Sequence, residues 1–531
     1  MEKLQLSCLP TQAGKTFVAI KQLLLNLSND PNSLHIFFTM NDLINNSQTV
    51  YRAGEHIDHS NMAILSCRKF SKSYKHIHNV NQYNILCMKS EIQPNVIFTC
   101  CNSKRISHIQ QIVETPQNAD KTIYVYIDEM HKYISFARTF VDKLLQNIRV
   151  KKILALTATP QTLWKSGSLC WESIPLLKNE DPTFDSNYIC LKDLAYVYTE
   201  WIDVDGEELT HRMMRPPKDV ISYFKFVAEK YPEIFVKGSR VFIPANVKQY
   251  AHIRVREIIF EKFKYAVVVV LNSKEKSISF YDKTSCEMVS KKLSLKMEIN
   301  QSIFQACIEN DIQLCERSLC IVGFNCLGMG QTLMNEQLGS FTSAIIGRPN
   351  ITNDEMYQLY GRLTGRMRNW GSQYSQTVIY CNKESANIVR EMEKCSLNAR
   401  EKQGCANFTY NDYIEPIQDS DILRLFNNQQ IRELASQRRK NKDISEEDKG
   451  FALFDTQQEA IDYAFSEFEK SFRRRKSNEA PKHLQRKGKN RTKDELVGKM
   501  CGISSQTPII MTVTDEYKWI VYWQKSLMNV E

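Results

Sequence analysis

The chain opens on a short apolar run, a tight turn and a helix with one apolar face, in immediate succession. Residues 3–8 (KLQLSC) are typical of a strand, and residues 16–27 repeat apolar side chains at helical spacing. The turn between them, residues 10–16, reads PTQAGKT. A turn that joins a strand to a helix N-terminus points backbone N–H groups at one spot and can bind a phosphate there. This order predicts an α/β fold built on a parallel sheet.

Individual residues of the turn fit phosphate binding. Glycine lets the backbone approach phosphate oxygens, lysine reaches the β- and γ-phosphates, and a threonine hydroxyl binds Mg²⁺. The nucleotide-binding residues predicted here are Gln12, Ala13, Gly14, Lys15 and Thr16, with Thr16 also expected to bind the metal. Leu9 stands where the full pattern has its first glycine. An ordinary turn before a core helix is therefore the alternative.

A later strand ends in two adjacent carboxylates. Residues 123–127 (IYVYI) form a β-branched and aromatic run typical of a buried parallel strand, and Asp128 and Glu129 follow it. Carboxylates at the C-terminal end of such a strand face the ligand crevice of an open sheet. We expect Asp128 to bind nucleotide-associated Mg²⁺ through water, and Glu129 to polarise the water that attacks the γ-phosphate. A solvated pair that caps a helix is the alternative.

Two more segments carry polar groups toward the same chemistry. Thr157-Ala158-Thr159 follows another apolar run, and its hydroxyls could lie beside the nucleotide; a strand followed by a turn is the alternative. Residues 358–366 read QLYGRLTGR. Guanidinium groups delivered from a second lobe can neutralise the charge that develops on a transferred phosphoryl group. Arg362 is the first catalytic candidate and Arg366 the second, with a solvated basic helix face as the alternative for Arg366.

The order of these segments resembles superfamily 2 helicases of the DExH type. In that family AGKT, DEMH, TAT and Q-x-x-G-R are motifs I, II, III and VI. The resemblance implies ATP and Mg²⁺ as cofactors and nucleic acid as a partner. The later motif VI arginine usually stands where this chain has Gly365, so Arg366 comes one residue late and Arg368 could take its role.

Weaker family motifs also have counterparts. Residues 37–40 and 96–100 resemble motifs Ia and Ib, which would place the loops after these strands against a nucleic-acid backbone; two buried strands are the alternative. Residues 238–244 resemble motif IV and open a second lobe. Residues 319–333 resemble motif V, in which Gly330 would let the backbone approach nucleotide or nucleic acid. A flexible surface loop is the alternative for that glycine.

The predicted fold is α/β, with two RecA-like parallel-sheet lobes in tandem and a small C-terminal extension. A chain of 531 residues exceeds a single core, which agrees with two lobes plus extra elements. The predicted regions are lobe 1 over residues 1–170, a linker over 171–235, lobe 2 over 236–400, a helical region over 401–470, a basic linker over 471–493 and a β-containing tail over 494–531.

Composition bounds the remaining possibilities. No apolar run approaches the ~20 residues that a membrane span needs, so no membrane association is expected. Because the first strand starts at the N-terminus, no signal peptide is expected either. The 16 cysteines include no Cys-x-x-Cys pair, and Cys315, Cys320 and Cys326 are interpreted as buried thiols rather than a zinc site.

Positive charge is concentrated late in the chain. Residues 471–493 contain ten Lys or Arg and one Glu, a local charge of +9, whereas the whole chain carries +10. Such a segment attracts phosphate backbones without reading sequence. A solvated linker and a nuclear localisation signal are the alternatives. In the tail, Trp519 and Trp523 are candidates either for stacking on bases or for core packing.

Together these features predict an ATP hydrolase that acts as a helicase or translocase on DNA or RNA. Composition resembles helicase-like proteins of large DNA viruses, which implies replication or transcription proteins as partners and the host cytoplasm or virion as location, with the nucleus as alternative. The replaced glycine and the shifted arginine leave open a hydrolysis-deficient scaffold that binds nucleic acid. A translocase that does not separate strands is a further alternative.

Overall fold

The computed structural model divides the chain into two compact units, residues 1–423 and 424–531. It describes residues 3–41, 43–67, 74–89, 93–164, 172–179, 181–199, 217–282, 284–294, 297–324, 327, 332–347, 351–423, 449–467, 485–486, 509–512 and 519–524. The larger unit contains two mainly parallel sheets, each the centre of one lobe.

Lobe 1 is an all-parallel sheet of seven strands in the order β1-β7-β6-β2-β5-β3-β4. Its strands are β1 (Leu4–Cys8), β2 (Leu34–Thr39), β3 (Met62–Leu65), β4 (Lys75–Ile77), β5 (Val96–Cys100), β6 (Ile123–Ile127) and β7 (Val150–Thr157). Its helices are α1 (Lys15–Asn29), α2 (Leu43–Gly54), α3 (Val80–Lys89), α4 (Ser103–Val113), α5 (Ile134–Gln146) and α6 (Gln161–Trp164). Strands such as β2 and β6 are buried along their whole length, as expected for a parallel sheet covered on both faces.

Strand order in lobe 1 determines where the polar segments meet. Strands β1, β7, β6 and β2 are neighbours, so the residues after β1 and after β6 lie at the same carboxyl edge of the sheet. Ligands of open parallel sheets bind at that edge. The predicted phosphate turn and the predicted carboxylates are therefore brought to one side of the lobe by topology alone.

A connecting segment follows lobe 1 and contributes to both lobes. Its elements are β8 (Ser173–Ile174), α7 (Phe184–Asn187), β9 (Tyr188–Ile189) and β10 (Ala195–Tyr198). Phe184, Tyr188 and Cys190 belong to the core of lobe 1, packed with Leu9 and Ala13. Strand β10 instead joins the edge of the second sheet.

Lobe 2 has an eight-stranded sheet in the order β10-β18-β16-β11-β15-β12-β13-β14, parallel except for the pairs β12/β13 and β13/β14. The other strands of this sheet are β11 (Arg240–Pro244), β12 (Val267–Leu271), β13 (Lys276–Tyr281), β14 (Met288–Lys292), β15 (Leu319–Gly323), β16 (Ser343–Gly347) and β18 (Val378–Cys381). Strand β17 (Gly365–Arg366) lies outside this sheet and pairs with β9. The helices of lobe 2 are α8 (Pro217–Lys230), α9 (Gln249–Lys262), α10 (Ile299–Glu309) and α11 (Asn353–Tyr360). The buried run of β12, VVVVL, lies within this sheet.

After β18 the chain returns to lobe 1. Helix α12 (Lys383–Glu401), strand β19 (Phe408–Thr409) and helix α13 (Tyr410–Ile414) follow in sequence. Ser396 Oγ on α12 donates to the carbonyl oxygen of Ala158 at 2.8 Å, and β19 pairs with β8. The end of the larger unit is thus built onto the first lobe.

One buried carboxyl on α12 gives a pH-dependent prediction for stability. Glu393 Oε2 accepts from the backbone N–H of Leu191 at 2.6 Å, and burial raises the pKa of this carboxyl to about 8. The folded chain therefore retains a proton that the unfolded chain has lost, and this contribution to stability falls as pH rises from about 4.5 to about 8. We expect Glu393→Gln, which keeps an acceptor oxygen, to raise the unfolding temperature at about pH 9 and to change it little at about pH 5. Thermal unfolding at both pH values is the measurement, and an equal shift at both would contradict this account.

The smaller unit contains a four-stranded sheet in the order β20-β23-β22-β21. Its elements are β20 (Lys449–Phe454), helix α14 (Gln457–Glu467), β21 (Gln485–Arg486), β22 (Ile509–Thr512) and β23 (Trp519–Gln524). Ala460 and Val521 form its buried centre, and Trp519 packs against them. Core packing is therefore the role that the structure gives Trp519. Most of the basic segment 471–493 lies outside the described residues.

The predicted α/β fold, with two RecA-like parallel-sheet lobes in tandem and a small C-terminal extension, is confirmed. The break between the two units falls after Leu423, inside the range 401–470 that was predicted as one helical region, and β20 also lies in that range. No helix among the described residues combines the length and apolar character needed to cross a bilayer.

The cysteine interpretation needs one correction. Cys320 is buried on β15, as expected, but Cys315 is exposed because it lies in the loop before that strand. Cys326 lies outside the described residues. Within the described ranges, no group of three or more His, Cys, Asp or Glu could hold a metal ion by itself.

Candidate nucleotide-binding site

The turn after β1 has the backbone of a phosphate cradle. Gln12 and Gly14 have positive φ values of 58° and 94°, and Gly14 is the N-cap residue that immediately precedes α1. Lys15 is buried, and its Nζ donates to the carbonyl oxygen of Pro10 at 3.3 Å, so the ammonium group folds back over the turn. Leu9 has no positive φ and packs in the core of lobe 1. The positions with a positive φ are thus Gln12 and Gly14, not Leu9.

The carboxylates after β6 lie against this turn. Asp128 and Glu129 are both buried, and the backbone N–H of Glu129 donates to Asp128 Oδ1 at 3.0 Å. Glu129 has φ 49° and ψ 45°, a left-handed conformation that non-glycine residues seldom adopt. Burial and the neighbouring Glu129 charge raise the pKa of Asp128 to about 7, and Lys15 opposes that rise.

His131 is the immediate neighbour of this pair. Its Nδ1 lies 2.8 Å from Thr157 Oγ1 and 3.4 Å from Glu129 Oε2. Burial lowers the pKa of His131 to about 4, so the ring is neutral near neutral pH. Thr159 donates its backbone N–H to Thr157 Oγ1 at 2.9 Å.

This network corrects the expectation for Thr157 and Thr159. Both side chains are buried and neither lines the nucleotide cleft. The Thr157 hydroxyl holds His131 in place, and His131 in turn contacts Glu129. Their effect on the carboxylate is therefore indirect.

Lobe 2 reaches the same cleft through α11 and the short helical turn Gly361–Leu363. Gln358 is buried, and its Nε2 donates to Glu129 Oε2 at 3.3 Å. Arg362 lines the cleft together with Lys15, Asp128 and Glu129. Burial lowers the pKa of Arg362 to about 10, while Glu129 favours its charged form. The structure thus brings Arg362 together with the predicted residues of lobe 1.

Two glycines of this segment touch the phosphate turn. A Cβ on Gly361 would meet Thr11 Oγ1 at 1.9 Å, so no side chain fits there. Gly365 has φ +136°, and its Cβ would lie 3.1 Å from Cβ of Gln12. Position 365, where the family usually has its later arginine, therefore has a backbone and a neighbour that disfavour any side chain.

The other two arginines lie differently. Arg366 reaches the cleft but forms an ion pair with Asp181 of the connecting segment, and its guanidinium lies over the ring of Phe184. Arg368 pairs with Asp193 at 2.8 Å and does not line the cleft. Arg362 is thus the arginine of this segment nearest to the predicted chemistry, and Arg368 is placed outside it.

The cleft has a volume of about 380 Å³, within the range of small-molecule sites. Gln12, Gly14, Lys15 and Thr16 line it from lobe 1, whereas Ala13 is buried beneath it. Arg52 on α2 also lines it and reaches lobe 2, where it pairs with Glu298 and donates to Thr332 Oγ1 at 2.8 Å. Gly330, predicted to approach the nucleotide, lies outside the described residues.

The loops after β2 and β5 meet at the carboxyl edge of lobe 1. Asn102 Nδ2 donates to Asn41 Oδ1 at 3.0 Å. The threonines of these strands face inward instead, because Thr39 Oγ1 donates to the Thr99 carbonyl oxygen at 3.3 Å and Thr99 Oγ1 to that of Leu65 at 3.0 Å. The exposed groups are therefore the loop residues rather than the threonine hydroxyls.

Several contributors to this site carried no assigned role in the sequence analysis. Gln358 and His131 lie within quoted motifs, and their spacing from Arg362 and Glu129 could have suggested them. Tyr188 has no such signal, since its partners are 176 and 177 residues away in the chain. Arg52 and Glu298 are likewise paired across 246 residues.

No curated protein sequence matches the chain significantly. Solved structures with some likeness include the ATP-dependent Type ISP restriction-modification enzyme LlaBIII bound to DNA, with 10% identity, 90% of this chain and 34% of that chain covered, and a TM-score of 0.46. Dbp5 of S. cerevisiae bound to RNA and ADP BeF3 has 11% identity, 82% and 89% coverage and a TM-score of 0.42.

A family match covers lobe 1. Residues 3–162 match the model described as Type III restriction enzyme, res subunit. This range contains the phosphate turn, the Asp128-Glu129 pair and Thr157. The family match therefore supports, for lobe 1, the resemblance to superfamily 2 helicases that the motifs carry.

Proposed function

We propose that this chain is an ATP hydrolase that uses nucleotide turnover to move along, or to unwind, DNA or RNA. The observation that carries the proposal is the convergence of Arg362 and Gln358 from lobe 2 on a cleft that contains Lys15, Asp128 and Glu129 of lobe 1. Groups from two lobes in one cleft make the chemistry depend on the arrangement of the lobes. Nucleic-acid binding across both lobes would then couple to nucleotide turnover.

Each residue has a role that its position allows. The turn at Gly14 would hold the phosphates, with the Lys15 ammonium beside them. Glu129 would accept a proton from the attacking water, because its carboxylate faces the cleft and is oriented by Gln358 and His131. Arg362 would stabilise charge on the transferred phosphoryl group.

The donor set also fits Mg²⁺. Thr16 and Asp128 line the same cleft and supply hydroxyl and carboxylate oxygens. Protein sites for Mg²⁺ in phosphoryl transfer use one or two carboxylates plus substrate phosphates, rather than a cage of protein ligands. When bound, the ion would neutralise charge on the phosphates.

The packing of Leu9 bears on the alternative of an inactive scaffold. That alternative was raised by the missing glycine of the phosphate pattern. Leu9 is buried in the core and has no positive φ, so a glycine is not required there by the backbone. Gly365 likewise has a steric reason to replace an arginine. Both observations favour the catalytic proposal over the scaffold.

We expect Lys15→Ala to lower ATP hydrolysis by at least ~100-fold, because a charge beside the transferred phosphoryl group is lost. Hydrolysis would be measured with the full chain alone and with single-stranded DNA, duplex DNA and RNA. Stimulation by one polymer, lost in the variant, would support the motor and identify its track. A chain that binds these polymers but hydrolyses no ATP would instead support the scaffold.

Strand separation is a separate question for the same protein. A duplex with one labelled strand reports unwinding, and displacement of a protein bound to the duplex reports translocation. Activity in both assays would identify a helicase. Protein displacement without strand separation would identify a translocase.

A further inference from the structure

Residues 181–193 of the connecting segment, here termed the clasp, touch both walls of the nucleotide cleft. On the lobe 1 side, Phe184 and Tyr188 are buried in the core that also contains Leu9 and Ala13 of the phosphate turn. On the lobe 2 side, β9 pairs antiparallel with β17, so that Ile189 faces Gly365 and Tyr188 faces Arg366. The clasp therefore lies between the turn that holds phosphate and the segment that delivers Arg362.

Two ion pairs connect the clasp to the residues that follow Arg362 in sequence. Arg366 pairs with Asp181, and Arg368 pairs with Asp193 at 2.8 Å. Arg368 Nε also donates to the carbonyl oxygen of Tyr188 at 3.2 Å. These pairs lie at the two ends of the clasp and orient the stretch between them.

The Tyr188 hydroxyl is one of the contacts that join the two walls, beside the direct contact of Thr11 Oγ1 with Thr364 Oγ1 at 3.3 Å. It donates to the carbonyl oxygen of Thr11 at 2.6 Å and lies 3.2 Å from Thr364 Oγ1. The single proton of the Thr364 hydroxyl can be donated either to Tyr188 Oη or to the carbonyl oxygen of Gly361, which lies 2.9 Å from Thr364 Oγ1. The Tyr188 side chain is almost fully buried, and burial raises the pKa of its hydroxyl well above the ordinary range. The group is thus a permanent hydrogen-bond donor at physiological pH.

We propose that Tyr188 is a positioning residue that holds the phosphate turn and the Arg362 segment at the separation required for hydrolysis. This inference rests on the proposed function. Thr11 is in the phosphate turn, and Thr364 is two residues after Arg362, so one hydroxyl that donates to the first and can accept from the second relates the two walls directly. Small displacements of catalytic groups lower rates steeply, which makes such a bond effective.

The first test is Tyr188→Phe, which removes the hydroxyl and keeps the ring. We expect kcat for nucleotide hydrolysis to fall about tenfold and KM for nucleotide to change by less than about twofold. Tyr223→Phe is the matched control, because the Tyr223 hydroxyl is also buried, lies 2.6 Å from Thr199 Oγ1 and is outside the cleft. The two variants lose similar buried hydrogen bonds, so a purely structural role would affect both alike.

A double variant separates positioning from general weakening. Thr364→Val removes the hydroxyl that faces Tyr188. Because each hydroxyl also contacts a carbonyl oxygen, that of Thr11 for Tyr188 and that of Gly361 for Thr364, we expect the loss of kcat in the double variant Tyr188→Phe/Thr364→Val to be smaller than the product of the two single losses. Independent, multiplying losses would contradict the proposal.

A second readout does not require hydrolysis. Amide hydrogen exchange in peptides covering residues 10–16 and 361–368 should be at least about threefold faster in Tyr188→Phe than in wild type, and unchanged in Tyr223→Phe. Equal exchange in these peptides would overturn the proposal, as would a kcat equal to that of the control. If the wild-type protein hydrolyses no ATP but amide exchange in Tyr188→Phe rises as expected, the proposed function is wrong, whereas the joining role of Tyr188 is supported.

Discussion

Arg362→Ala is expected to lower the rate of ATP hydrolysis roughly 1,000-fold or more, the largest effect predicted for this chain. The guanidinium is buried in the cleft with Asp128 and Glu129, and it comes from the lobe opposite the phosphate turn. Arg366 is the other cation among the described residues of lobe 2 that line the cleft, and it is paired with Asp181. Nucleotide affinity should change much less than kcat, because the interaction strengthens in the transition state.

The control for this variant is Arg256→Ala. Arg256 is another arginine of lobe 2, half-buried and paired with Glu275 at 2.8 Å, but it does not line the cleft. We expect its hydrolysis to equal that of wild type. Steady-state hydrolysis and equilibrium binding of a fluorescent ADP analogue would be measured for both variants. If Arg362→Ala hydrolysed ATP at the wild-type rate, the catalytic assignment of Arg362 would be wrong.

Glu129→Gln is expected to lower hydrolysis about 1,000-fold while ATP still binds. The amide has the same shape as the carboxylate but cannot take a proton from water. Its contacts with Gln358 and His131 can be kept in part, so the cleft should retain its form. ATP should therefore remain bound and uncleaved, which a filter-binding assay with γ-labelled ATP detects.

Glu114→Gln provides the matching control. This variant makes the same chemical change in a surface residue that pairs with Arg149 and does not line the cleft. Its hydrolysis should be unaltered. Retention of uncleaved ATP by Glu129→Gln and not by the control would support Glu129 as the base. Normal turnover in Glu129→Gln would transfer that role to another group, and Asp128, which also lines the cleft, would be the next candidate.

Local patterns were sufficient for the parts of the site that depend on local structure. The strand and helix on either side of Gly14 and the buried run before Asp128 are each defined by a few consecutive residues. Because parallel strands end at one edge of a sheet, the alternation of strands and helices also implied that these segments would meet. Arg362 was placed by motif order, which reflects a family resemblance rather than any local physical property.

Other features depend on contacts between residues far apart in sequence. The clasp carries no periodicity, and Tyr188 acts through Thr11 and Thr364, so no local pattern could have indicated it. The shift of the later arginine was visible in the sequence, but its cause was not. That cause is the approach of Gly365 to Gln12, which only the packed lobes display.

The attachment of lobe 2 limits how it can move. The chain enters the lobe through β10 and leaves it through β18, and these two strands are hydrogen-bonded neighbours at one edge of the sheet. The segments that flank these strands in sequence both pack on lobe 1. The clasp precedes β10, and α12 with β19 follows β18. Because lobe 2 is attached at two adjacent strands, we expect it to rotate about the line through these two attachments rather than to translate along lobe 1. Strands β13 and β14 lie at the opposite edge of the sheet from β10 and would move the farthest in such a rotation. Labels placed on these strands would therefore report opening and closing of the cleft with the greatest sensitivity.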